Sequence, residues 1–151
     1  MGSKFDFATT PIEEIKSPHR IEQVVPSPML TKWGRTKDGK LSQHSLENTG
    51  PRRFLVIEGD GTALDEQAAV LAHLAEKAPL AMVVHSGGKS LHGWFFVAGK
   101  SDEQLLPFFR RACALGADDG LWRRSQFARM PGGRRADGQA QPVLFLYPQI
   151  F

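Results

Sequence analysis

The chain has 151 residues, 41% of them apolar, with 19 basic against 16 acidic side chains and a formal charge of +3. That length fits one domain able to bury a core, and its apolar runs, such as LAMVV and WFFVA, fall far below the roughly 18 residues of a membrane-spanning helix. Cys113 is the single cysteine, which excludes an internal disulfide and the multi-cysteine zinc sites; with no basic-then-apolar leader in MGSKFDF, a cytoplasmic location is expected.

Residues 1–50 read as an N-terminal extension that packs on the domain after it. Pro11, Pro18, Pro26 and Pro28 interrupt the segment, one short helix is expected over Pro11 to Lys16, and the remainder is polar and basic with turn signals. From Phe54 the elements are sharper. FLVIEGD (54–60) is rich in β-branched and apolar residues and predicts a strand. The next segment, TALDEQAAVLAHLAEKA, predicts a helix opened by a Thr62–Asp65 capping pair, with Leu64, Ala68, Leu71 and Ala75 as its apolar stripe.

LAMVVH (80–85) and LHGWFFVAG (91–99) predict two further strands. SDEQLLPFFRRACALG predicts a second helix, opened by a Ser101/Gln104 capping box and closed at Gly116, with Pro107 as a source of a kink or a shortened start. SQFARM (125–130) and PVLFLYP (142–148) complete the series as strands. The order β-α-β-β-α-β plus a final strand is the α+β, ferredoxin-like or RNA-recognition-motif (RRM) arrangement, in which helices cover one face of the sheet. The other face is then left for a ligand or a second layer.

The loop between the second and third strands, HSGGKSLH, resembles the end of a phosphate-binding P-loop, but the spacing excludes that. A P-loop ending at Gly88-Lys89-Ser90 requires glycine at position 83, where Val83 stands, and a helix after Ser90, where a strand is predicted. The chemistry has to come from side chains that share a sheet face. Strand alternation puts Val56, Glu58 and Asp60 on one side and Leu55 and Ile57 on the other; likewise His92, Trp94 and Phe96 oppose Leu91, Phe95 and Val97. Two carboxylates one pleat apart repel unless a cation lies between them, and a divalent ion is the economical partner.

The combination Glu58-x-Asp60 at a strand end, followed by Ser90-Leu91-His92 after a Gly-Gly loop, resembles the first two motifs of the archaeo-eukaryotic primase superfamily, the primase-polymerases of replication proteins, plasmids and phages. The resemblance covers roughly residues 50 to 148 and makes 51–151 the catalytic domain. It implies template-directed DNA primase/polymerase activity, with Glu58 and Asp60 as ligands of two divalent ions, Mg²⁺ or Mn²⁺, and Glu58, Asp60 and His92 as the catalytic set. It further implies that Ser86, Gly88, Lys89, Ser90 and His92 hold the phosphates of a nucleoside triphosphate, on a single-stranded DNA template and with a replicative helicase as a partner.

One departure stands out. The family's third acid comes from a later strand, and SQFARM offers Arg129 in its place, which is then expected to bind phosphate. Asp118, Asp119 and Asp137 lie nearby, and spacing assigns none of them. Seven arginines between residues 110 and 136, with the basic segment from Lys32 to Arg53, are expected to follow the template. The alternative reading is a non-catalytic RRM-like module that stacks single-stranded bases on Trp94 and Phe96.

Overall fold

The computed structural model describes residues 7–151. Its strands are β1 (Gln23–Val24), β2 (Gly34–Arg35), β3 (Leu41–Ser42), β4 (Phe54–Glu58), β5 (Leu80–His85), β6 (Leu91–Phe96), β7 (Ala128–Arg129) and β8 (Val143–Leu146). Two helices, α1 (Leu64–Ala75) and α2 (Asp102–Ala114), are joined to these by turns and short 3₁₀ segments. The principal sheet runs β4-β6-β5-β8 with every pair antiparallel, so β4 and β5 are parallel with β6 inserted between them. With α1 between β4 and β5 this is a split β-α-β unit, and the α+β arrangement is compatible with a ferredoxin-like fold. No helix among the described residues is long and apolar enough to cross a membrane.

The alternation expected from the sequence sorts the core. Leu55, Ile57, Leu91, Phe95 and Val97 pack against Leu71 and Leu74 of α1 and Leu105, Phe109 and Ala112 of α2. The α2 residues recur at i, i+4 and i+7, which makes one helical stripe. Ser101 forms the expected capping box with Gln104. Pro107 neither shortens nor ends α2. Its missing N–H removes the i→i−4 bond to the carbonyl of Glu103, and both residues lie on the exposed side of the helix.

Helix α1 departs from expectation at both its cap and its face. Ala63, not Thr62, is the N-cap, without a side-chain bond, and the buried residues are Gln67, Leu71 and Leu74, while Leu64 is exposed. Gly93, at the centre of β6, explains how closely α1 approaches: a Cβ there would stand 2.5 Å from Leu71 Cδ2.

The opposite sheet face carries a second core, in which Val56, Met82, Val84 and Trp94 pack against Leu121 and Ala128, with Val24 alongside. Its cover is a two-stranded ribbon, β1 paired with β7, together with the 3₁₀ turn Asp119–Trp122. The expected strand 125–130 is thereby reduced to two residues and paired outside the principal sheet. Its place beside β4 is held by a single Gly59–Ala117 bridge and by Asp118 N–H donating to Glu58 O at 2.9 Å. Residues before position 50 contact the later part of the chain through β1, paired with β7, and through Glu22, whose carboxylate accepts from Arg129 and Ala136. The helix expected at 11–16 is one 3₁₀ turn, Ile12–Glu14, and β8 forms at the other sheet edge with all four residues exposed.

Candidate functional site

The side chains on the second core's face end in a polar cleft. Glu58 is the last residue of β4 and pairs directly with His92 of β6. Because the two strands are antiparallel and in register, their side chains project from the same face, and His92 Nε2 stands 3.3 Å from Glu58 Oε1. His92 is 3% exposed, and among the described residues neither ring nitrogen has a hydrogen-bond partner of acceptable alignment. A buried imidazole left unsatisfied is costly and calls for a reason, such as strain, a catalytic role or a bound water or ion.

The cleft holds about 280 Å³ and is lined by Glu58, His92, Asp118, Gln126, Phe127 and Arg129 among others. The β1–β7 ribbon delivers Arg129, whose Nη1 donates to Glu22 Oε1 at 2.5 Å, while Ala136 N–H donates to the other Glu22 oxygen at 3.2 Å. Burial raises the Glu58 carboxyl pKa, but the imidazole of His92, the hydroxyl of Ser90 and the Arg129 guanidinium outweigh it, and the net shift is downward. At neutral pH the carboxylate is therefore ionised.

The expected site residues divide into two groups. Glu58, His92 and Arg129 line the cleft, and Ser90 is buried against Glu58. Asp60 follows the strand instead of ending it, is not among the lining residues, and lies 3.8 Å from Lys89 Nζ with both side chains well exposed.

The Gly-Gly loop closes a hairpin between β5 and β6, as the sequence implies, with Ser86 N–H donating to Ser90 O at 2.9 Å. Its amides are largely committed within the loop. Ser86 Oγ accepts from Gly88 N–H and Ser90 N–H, and His85 Nδ1 accepts from Gly87 N–H. Ser86, 4% exposed, is thus an internal brace of the loop. Gly87 adopts φ +75°, which glycine tolerates and other residues rarely do.

Other expectations are corrected by burial. Trp94 is 4% exposed beneath Leu121 and Ala128, so it is a core residue and cannot stack bases. Arg52, within the segment expected to follow template, is also buried: its Nε donates to Asp102 Oδ1 at 2.7 Å, its Nη2 donates to Trp122 O, and its guanidinium lies over the Trp122 ring. Arg134 and Arg135 are partly engaged, with Gly138 O and Asp137 respectively.

Asp118 is the residue that spacing left unassigned. Its backbone bond to Glu58 brings its carboxylate to the cleft, where one oxygen accepts from Gly120 N–H at 2.5 Å. The available signal was topological, since the chain leaving the second helix of this fold returns beside the first strand. Among the described residues no group of three or more His, Cys, Asp or Glu side chains is gathered tightly enough to hold an ion by itself. Comparison with family models, with curated proteins and with solved structures finds no match to this chain.

Proposed function

We propose that the cleft binds a divalent cation together with the phosphates of a nucleoside triphosphate, and that the chain is a template-directed nucleotidyltransferase of the primase-polymerase type. The observation that carries this reading is the Glu58–His92 pair: an ionised carboxylate 3.3 Å from a buried imidazole whose ring nitrogens have no well-aligned hydrogen-bond partner among the described residues, both lining a polar cleft. Glu58 and Asp118 line the cleft and would offer carboxylate oxygens to Mn²⁺ or Mg²⁺ beside His92, with water and phosphate oxygens supplying the rest of the shell, since among the described residues no three such side chains form an ion site by themselves. Too few protein donors converge for a closed cage, which leaves positions for water and phosphate oxygens.

A divalent ion bound there would supply charge neutralisation at the reacting phosphate and a lowered pKa for the attacking hydroxyl. The chain's own residues do the rest. Glu58, held ionised by its neighbours, keeps negative charge on the cleft wall without a proton to lose. His92 offers a ring N–H to a phosphate oxygen from a position that packing fixes, so little entropy is lost when the ligand arrives. Arg129, braced by Glu22, presents positive charge to the same space, and Lys89 on the Gly-Gly loop, exposed and paired only loosely with Asp60, is free to meet the phosphates of an entering nucleotide.

Single-stranded DNA is the expected template, with exposed arginines such as Arg53, Arg110 and Arg123 as its electrostatic track, and a replicative helicase is the partner class. The RRM-like alternative receives less support, because Trp94, one of the two rings of its stacking platform, is buried, while Phe96 is only partly so. The test is incorporation of labelled nucleotides on a single-stranded template with Mn²⁺ or Mg²⁺, with and without primer. Product that disappears in Glu58→Gln and in His92→Ala supports the proposal; template binding without product under every condition supports the module instead.

A further inference from the structure

One buried polar side chain lies outside the cleft yet bonds three backbone segments that adjoin Glu58 and His92. Gln67 of α1 is 3% exposed and stands on the helix face that otherwise presents Leu71 and Leu74 to the sheet. An apolar residue is the ordinary occupant of such a position, because a buried carboxamide is costly unless its bonds are made. Here they are made. Nε2 donates to Thr62 O at 2.9 Å and to Lys89 O at 3.0 Å, and Oε1 accepts from Leu91 N–H at 2.8 Å.

These three backbone groups belong to the turn after the acidic strand, to the Gly-Gly loop and to the residue preceding His92. The chain also makes room for the carboxamide, since a Cβ on Gly59 would collide with Gln67 Oε1. Ser86 braces the loop only from within, whereas Gln67 ties it to the turn that follows the strand carrying Glu58.

We propose that Gln67 is a positioning residue whose carboxamide tethers the Gly-Gly loop and the start of β6 to the turn after β4, holding Lys89 and His92 in register with Glu58. The ligand that benefits is the nucleotide of the preceding proposal, on which this part of the inference rests. The tether itself is a property of the fold and is measurable without any ligand.

The test compares wild type with Gln67→Leu, Gln67→Glu and Gly59→Ala. Amide exchange at Leu91 and ¹⁵N relaxation over residues 86–90 are recorded alongside the KM for nucleotide and kcat in primer extension. In Gln67→Leu, exchange at Leu91 should accelerate at least tenfold relative to Val84 of the adjoining strand, and KM should rise about tenfold with kcat changed far less.

Gln67→Glu keeps the acceptor for Leu91 but turns an oxygen toward two carbonyls, so its loop motion should shrink as pH falls and the acid regains a donor. Wild type should show no such pH response. Gly59→Ala, which displaces the carboxamide without removing it, should reproduce the loop effect and serves if a position-67 variant fails to fold. Unchanged Leu91 exchange and loop relaxation in all folded variants would overturn the tether. A loosened loop in these variants, alongside a wild-type protein that binds no nucleotide, would leave the tether standing and remove the primase-polymerase reading.

Discussion

Glu58 and His92 face each other across adjacent antiparallel strands, Nε2 3.3 Å from Oε1, with the imidazole buried and the carboxylate at the edge of solvent. The arrangement depends on register. A slip of one residue between β4 and β6 would send His92 to the helix-covered core and leave Glu58 opposite an apolar side chain. The apolar pairs behind it, Val56 with Trp94 and Leu55 with Phe95, make that slip costly, so the site is fixed by the same contacts that form the two cores.

The first expected outcome concerns pH. Burial raises the Glu58 carboxyl pKa while His92, Ser90 and Arg129 lower it further than burial raises it, so the folded protein holds that proton less tightly than the unfolded chain, whose ordinary value is 4.5. The associated stability is complete above that value and is lost as pH falls through the lower folded value. Urea unfolding of chelator-treated protein between pH 7 and pH 3 should show a shallower acid loss in Glu58→Gln than in wild type. Equal slopes would remove this carboxylate from the acid response.

Trp94 should behave as a core residue. Trp94→Ala is expected to destabilise the fold by about 3–5 kcal/mol in chemical denaturation. Trp94→Phe should cost less, because it keeps an aromatic ring and discards an indole N–H that has no hydrogen-bond partner among the described residues. A tryptophan serving only to stack bases would give a folded, fully stable Trp94→Ala protein with weakened binding of single strands.

Arg52 is a structural clamp between the start of β4 and α2. Its fork reaches Asp102 and the Trp122 carbonyl while its plane stacks on the Trp122 ring, which a lysine cannot reproduce. Arg52→Lys is expected to cost about 1–3 kcal/mol in thermal or urea unfolding. Its affinity for single-stranded DNA, measured under conditions where the variant is folded, should match wild type.

Cys113 should be a slow nucleophile. Burial raises its thiol pKa, and the carboxylates of Asp119 and Asp118 add to the rise, so little thiolate exists at neutral pH. Alkylation of native protein at pH 7.5 should be several-fold slower than that of the urea-unfolded chain. Asp118→Asn with Asp119→Asn should narrow the gap.

Much of the principal sheet was legible because strand alternation and helical spacing are local signals. Leu55, Ile57, Leu91 and Phe95 fall on one side, Val56 and Trp94 on the other, as period two requires. The same alternation brought Glu58 and His92 to one face. What was not legible depended on contacts distant in sequence. The pairing of residues 128–129 with residues 23–24 covers the face that strand counting leaves open, and it converts Trp94 from a surface ring into core.

Asp60 shows a second limit. Alternation places it with Glu58 only while the strand lasts, and the regular strand stops at Glu58, with Gly59 bridging to Ala117. Gln67 shows a third: within an amphipathic helix it reads as an ordinary polar residue, and only the loop passing over it reveals that it points inward.

The most direct measurement of the Glu58–His92 cleft is Mn²⁺ paramagnetic broadening of the five histidine ring signals by NMR, with a non-hydrolysable nucleoside triphosphate present. The His92 resonances should broaden at the lowest Mn²⁺ concentration, well before those of His19, His44, His73 and His85, and the preference should vanish in Glu58→Gln. Uniform broadening of all five rings, or a His92 signal that stays sharp while others broaden, would contradict a cation-bridged nucleotide site at this cleft.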